Sequence, residues 1–299
     1  MKIVNFVGKS GVSFGIVQDN NKIIPIPEIL SSKNLKYEWQ YNIMSFINGY
    51  PHSIEILKSL LSKEINFESN FIHLKDVKIL PPVPTPSKII CLGLNYMDHV
   101  RETGKELPSR PILFSKAPSS IIGTGDAIIL PEENGKKLGC VDYEVELAAV
   151  IGKKAKNVTA KEVKNGNYIL GYTILNDVTS RSDQKRDGQF FFSKSFDTFA
   201  PMGPWIVTSD DLSNPQNLKM ITELNGKIMQ DSSTAEMVFN VFEIISYISQ
   251  KITILPGDII STGTPSGVGF TRNPPVYLKA GDNLLLKIEN IGILKNPVK

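Results

Sequence analysis

The sequence predicts a predominantly β fold of the α+β class, with a small N-terminal α+β domain over 1–80 and a larger domain over 81–299. Three observations carry this. Short apolar runs recur between clusters of turn-forming residues, as in a chain of strands. Few stretches show helical periodicity, and they do not alternate regularly with strands as a βαβ array would. Between the two parts stands Pro81-Pro82-Val83-Pro84-Thr85-Pro86, a stiff segment that continues neither a helix nor a central strand.

Along the chain, 3–7, 12–17 and 22–26 read as a strand meander, with a polar turn at Asp19-Asn20-Asn21. Over 38–62 the period changes: Ile43, Phe46, Ile47, Ile54, Leu57 and Leu60 fit two short helices broken at Gly49-Tyr50-Pro51. A strand at 77–80 precedes the prolines. Beyond them, strands are predicted at 88–94, 112–115, 127–130, 143–151, 168–176, 205–208, 218–224, 227–230, 259–261, 276–278, 283–288 and 292–295. Helices are predicted at 159–165 and 238–250, and Asn225-Gly226 is the clearest hairpin turn.

Composition excludes several classes. The 299 residues include 33 Lys+Arg and 30 Asp+Glu, a net charge of +3, so no strong field recruits nucleic acid or an acidic membrane. No apolar run approaches the roughly 20 residues of a membrane span. Cys91 and Cys140 form no CxxC pair, which argues against a disulfide framework or thiolate zinc site. With no visible targeting segment, the expected location is cytoplasmic.

Glu144 and Glu146 are the sharpest chemical feature. On a strand their side chains share one face with α-carbons roughly 6.5 to 7 Å apart, so they form either a solvated strand face or two ligands for one cation. Asp177 follows the apolar run 169–176, where an acid serves as a turn cap or a site residue. Three carboxylates without a nearby His or Cys would make an all-oxygen site, suited to Mg²⁺ or Mn²⁺ rather than Zn²⁺. Of three histidines, His52 and His73 read as surface residues, whereas His99 follows a strand. On a helical turn over 97–103, Glu102 would share its face and could orient the imidazole as a general base. Lys194, set among Phe190, Phe191, Phe192 and Phe196, must snorkel or serve an anion, and Lys116 is a similar case. The turn Thr262-Gly263-Thr264-Pro265-Ser266-Gly267 is either a tight turn or a cradle for a carboxylate.

Taken in order, these segments resemble the fumarylacetoacetate hydrolase family. The matching runs are Gly93-Leu94-Asn95-Tyr96 with His99 and Glu102, Phe114-Ser115-Lys116, Asp142-Tyr143-Glu144-Val145-Glu146, Asn176-Asp177-Val178, Lys194-Ser195-Phe196-Asp197 and Thr262-Gly263-Thr264-Pro265. Within the family, Pro275-Val276-Tyr277-Leu278-Lys279-Ala280-Gly281-Asp282 is similar to the branch of fumarylacetoacetate hydrolase domain-containing protein 2. One departure is Ser182, where the family pattern carries an acid after the arginine, here Arg181.

The resemblance implies a mixed β-roll, a homodimer, Mg²⁺ or Mn²⁺ on Glu144, Glu146 and Asp177, and His99 with Glu102 as the acid/base pair on a closing segment. Lys194 would stabilise an oxyanion or enolate, while Lys116, Gly263 and Thr264 would bind substrate anion. It implies 2-oxo or 2,4-dioxo acid substrates and, as the leading expectation, hydrolysis of a C–C bond in an acylpyruvate. The alternatives sharing an enolate are oxaloacetate tautomerisation or decarboxylation and 2-hydroxyhepta-2,4-diene-1,7-dioate isomerisation. A non-enzymatic binding protein on the same fold is a remoter alternative.

Overall fold

β1 (Lys2–Gly8), β2 (Gly11–Gln18) and β3 (Lys22–Pro25) form the expected meander. In the computed structural model the described residues are 1–19, 21–62, 71–133, 136, 137, 139–212 and 214–299, so Asn20 of the predicted turn lies outside them. Three helices follow, α1 (Ile26–Ser31), α2 (Ile43–Asn48) and α3 (His52–Leu61), before β4 (Ile72–His73) and β5 (Lys78–Leu80). The carboxamide of Asn42 caps α2 by accepting from Met44 and Ser45 N–H, and α2 and α3 part at Gly49-Tyr50-Pro51 as the periodicity predicts. Helix α1 was not expected: six residues beginning Ile-Pro are too few to show a period.

After the prolines come β6 (Ile89–Gly93), α4 (Met97–Thr103), β7 (Ile112–Lys116), β8 (Ile121–Ile122), β9 (Glu132–Glu133), β10 (Lys136–Lys137), β11 (Val141–Asp142), β12 (Val145–Ile151) and α5 (Ala160–Asn165). Next are β13 (Ile169–Asn176), β14 (Thr179–Ser180), α6 (Arg181–Asp187), α7 (Phe191–Lys194), β15 (Ala200–Thr208), β16 (Lys219–Leu224) and β17 (Lys227–Ser233). The chain closes with α8 (Val241–Ser249), β18 (Ile259–Ser261), β19 (Asn283–Ile288) and β20 (Gly292–Pro297).

The predicted sheet-dominated α+β class is what the chain adopts. Its main sheet runs β4-β3-β2-β1-β15-β13-β12-β18-β6-β7, mostly antiparallel, with β18 parallel to β6. Because β1 pairs with β15, the first strands and the later ones share this sheet. A second sheet, β17-β16-β19-β20, packs on one face through Met220, Leu284 and Leu286 against Leu147, Ala149 and Ile174. On the opposite face Ile29, Phe46 and Leu57 of the three N-terminal helices pack with Ala148, Val150 and Met202. The alternation along β12 thus feeds two cores, and Glu146 shares the face of Ala148 and Val150.

Several predicted elements differ. The 127–130 segment contributes only an isolated bridge from Ile128 to Val298, and 276–278 has no strand. The strand predicted from 143 starts at Val145, since Glu144 N–H donates to the Asn176 side chain instead of a ladder partner. β15 reaches back to Ala200 through Pro201 and Pro204, residues that argue against a strand when read in sequence.

Candidate active site

The site forms where β12, β13 and β18 end together. Glu146 opposes Leu175 and Val145 opposes Asn176, so Asp177, one residue past β13, meets the two glutamates. Glu144 is held off the ladder by Asn176, and its carbonyl accepts from Asp177 N–H. One carboxylate oxygen from each of Glu144, Glu146 and Asp177 lies within 4.8 Å of the others, and all three residues are buried.

Such crowding of like charge requires counter-ions. Lys194 Nζ donates to Glu144 Oε2 (3.0 Å), Asp177 Oδ2 (2.5 Å) and Thr179 Oγ1 (2.9 Å). Lys116 Nζ donates to Asp177 Oδ1 (2.7 Å) and to the Val178 carbonyl (3.1 Å). Arg181 bridges Glu144 Oε1 (2.6 Å) and Asp142 Oδ2 (2.8 Å), its guanidinium 4.3 Å from the centre of the Phe270 ring. Burial alone would raise the Glu144 carboxyl, but Lys194 and Arg181 overcome it and take it down to about 2. Burial opposes the charge of Lys194, yet Asp177 and Glu144 hold its pKa above the ordinary value. Lys116 goes the other way, lowered chiefly by burial.

Glu146 is the exception. Its Oε2 accepts from Ser261 Oγ (2.5 Å) and Gly263 N–H (3.0 Å), while Oε1 is buried with no hydrogen-bond partner among the described residues. Burial, then Asp177 and Glu144, push its carboxyl well above the usual range. An orphaned carboxylate oxygen beside two further carboxylates fits a hard divalent cation, which would supply the missing partner. The buried triad is thus compatible with a divalent metal.

His99 reaches the site from α4, which forms over 97–103 as predicted and ends at Gly104 in the left-handed conformation. His99 Nδ1 lies 3.2 Å from Glu102 Oε2, and Glu102 Oε1 accepts from Gly267 N–H (2.9 Å) and Thr271 Oγ1 (2.8 Å). Burial would raise the Glu102 carboxyl, but the bonds from His99, Thr271 and Gly267 hold it below its ordinary value. A cleft of about 530 Å³ opens between these groups, with His99, Glu144, Arg181, Lys194 and Thr264 on its wall and Phe114, Phe190, Phe270 and Tyr277 supplying apolar surface.

The structure therefore places His99, Lys194, Glu144 and Thr264 on the cleft wall, with Glu102 bonded to His99 and with Glu146 and Asp177 buried beside Glu144. Lys116 stands behind Asp177 and Gly263 behind Glu146, away from the cleft wall. Sequence reasoning missed Arg181 and Asp142 as partners in the site. Although Ser182 puts no acid next to Arg181 in the chain, Arg181 finds its partners in Asp142 and Glu144 across the fold. Asp142 itself is fixed by the Gly269 and Phe270 N–H groups. The scarcity of arginine, five residues in all, was the available signal.

The model of the fumarylacetoacetate (FAA) hydrolase C-terminal family matches residues 88–299. The chain belongs to the fumarylacetoacetate hydrolase family. It is 45% identical over 291 residues to the mitochondrial oxaloacetate tautomerase Fahd2a of Rattus norvegicus, covering 97% of this chain and 86% of that protein. Its fold is similar to a fumarylacetoacetate hydrolase from Exiguobacterium antarcticum, with a TM-score of 0.81, 34% identity and coverage of 100% of this chain and 99% of the other. It is also similar to a 2-hydroxyhepta-2,4-diene-1,7-dioate isomerase from Mycobacterium marinum, with a TM-score of 0.71, 34% identity and coverage of 100% and 98%. As a member of the fumarylacetoacetate hydrolase family the chain is an enzyme acting on a small molecule. The cytoplasmic expectation is corrected, because the tautomerase relatives are mitochondrial proteins. Balanced charge and a well-packed core serve equally in either compartment, so composition carries no address.

Proposed function

We propose that the chain is a mitochondrial oxaloacetate tautomerase that uses Mg²⁺ or Mn²⁺ and works as a homodimer. The 45% identity to an oxaloacetate tautomerase across nearly the whole chain carries this reading over the C–C hydrolysis first expected. The site chemistry supports it, since keto–enol exchange needs one proton moved between carbon and oxygen and no nucleophilic water.

In this reading Glu144, Glu146 and Asp177 hold the cation, which when bound would polarise the 2-oxygen of the substrate as a Lewis acid. His99 takes the proton from the carbon beside the carbonyl. Glu102, on Nδ1, fixes the tautomer that leaves Nε2 as the base and steadies the imidazolium that forms. The C–H bond breaks, its electron pair moves toward the carbonyl oxygen, and that oxygen is protonated, so nothing is gained or lost overall. Lys194 adds positive charge where the oxygen becomes negative, and Thr264 faces a substrate carboxylate. Phe114, Phe190 and Phe270 give the cleft wall beside these groups an apolar surface.

The deciding experiment supplies enol oxaloacetate and a panel of acylpyruvates with Mg²⁺ or Mn²⁺ and identifies the products. Faster loss of enol with all carbon retained is expected. Pyruvate plus a carboxylic acid from an acylpyruvate, with no tautomerisation above background, would return the assignment to hydrolysis, and release of CO₂ would make it a decarboxylase.

A further inference from the structure

Gln230, on β17, is wholly buried and makes four hydrogen bonds. Its Oε1 accepts from Val145 N–H (3.0 Å) and Thr222 Oγ1 (2.8 Å), and its Nε2 donates to Thr264 Oγ1 (2.9 Å) and the Pro265 carbonyl (3.0 Å). The orientation of this amide is dictated on both sides. A backbone N–H can only donate and a backbone carbonyl can only accept, so the oxygen must face Val145 and the nitrogen Pro265. Nε2 is then a compulsory donor to Thr264, whose oxygen has a lone pair taken and whose own hydrogen must point elsewhere. Thr264 lines the cleft and is 5% exposed, and among the described residues its Oγ1 only accepts.

We propose that Gln230 is a positioning residue that makes Thr264 a hydrogen-bond donor toward the substrate carboxylate. The Val145 N–H bond to the amide oxygen serves to lock the orientation of the amide and so the direction of its bond to Thr264. This rests on the reading above that Thr264 faces the carboxylate of a 2-oxo acid. The consequence is a polarity rule: a carboxylate in place of the amide would take the Thr264 hydrogen for itself and turn oxygen lone pairs toward the incoming anion.

The test uses calorimetric binding of oxalate, a non-reacting dianion, in the presence of Mg²⁺, with KM and kcat for oxaloacetate alongside. Thr264→Val and Gln230→Glu are each expected to weaken oxalate roughly 10-fold or more, the worth of one hydrogen bond to a charged group. KM should rise in step while kcat changes less. The double variant should be no weaker than Thr264→Val alone, because Gln230 acts through that hydroxyl. Effects that multiply in the double variant, or unchanged oxalate binding by either single variant, would overturn the proposal. Thermal melts establish folding; should Gln230→Glu not fold, Gln230→Met takes its place in the same cycle, its loss expected to vanish in the Thr264→Val background. A wild type that binds oxalate yet leaves enol oxaloacetate untouched sinks the tautomerase reading, and the binding cycle still decides the role of Gln230.

Discussion

Glu146→Gln separates a cation ligand from a structural acid. In the protein without a cation, burial together with Asp177 and Glu144 favours the protonated carboxyl, which an amide imitates in size and charge. The amide oxygen can keep the bonds from Ser261 Oγ and Gly263 N–H, and its NH₂ would occupy the position of Oε1, which has no partner to lose. The substitution should therefore change stability by no more than about 1 kcal/mol in the presence of a chelator. With cation present the two proteins should diverge. A ligand at 100 times its Kd stabilises the native state by about 2.7 kcal/mol. At roughly 2 °C per kcal/mol for a chain of this size, that is a rise in Tm of about 5 °C. Wild type should show this rise with Mg²⁺ or Mn²⁺, and Glu146→Gln should lose most of it. Melting curves with chelator and with each cation measure both quantities. An undiminished rise in the variant would remove Glu146 from the ligand set, and a collapse of the chelated variant by several kcal/mol would make it a structural residue instead.

Other outcomes follow from the same geometry. A Cβ on Gly269 would stand 1.9 Å from the Val276 carbonyl oxygen and 2.5 Å from Asp142 Oδ1, so Gly269→Ala should cost about 3 kcal/mol in denaturant unfolding, as overpacking does. Glu102→Gln should lower turnover by roughly 10²- to 10⁴-fold if His99 is the base, measured with enol oxaloacetate. The folded Glu102 carboxyl lies below its unfolded value, so it stabilises the fold above that value and ceases to as pH falls through the folded pKa. The gap in Tm between wild type and Glu102→Gln should thus be present at pH 7 and close below about pH 4. Thr159→Ala should cost about 1 kcal/mol by removing the capping box that Thr159 and Glu162 form at α5, with no change in turnover.

Local signals carried much of the fold. β1 to β3, the two helices parted at Gly49-Tyr50-Pro51, and the Asn225-Gly226 hairpin between β16 and β17 each have a period or a turn written in adjacent residues. What escaped lacked such a signal. α1, α6 and α7 are seven residues or shorter, and β15 carries prolines that its neighbours accommodate. The site followed the same division: Glu144 with Glu146, and His99 with Glu102, are close in sequence and were legible as pairs. Arg181 with Asp142, and Gln230 with Thr264, are 39 and 34 residues apart, and only chain reversal brings them together.

By itself the sequence determined the fold class, the family resemblance and which side chains have suitable chemistry, because residue type, period and motif order are properties of the chain. The tertiary structure decided which of those side chains meet and in what electrical surroundings. It set Lys116 behind Asp177 rather than on the cleft, supplied Arg181 and Asp142 to Glu144, and left Glu146 Oε1 without a partner among the described residues. These are matters of distance and burial. The energy of a charge depends on what surrounds it in space, and strand pairing across the sheet, not proximity along the chain, creates those surroundings here.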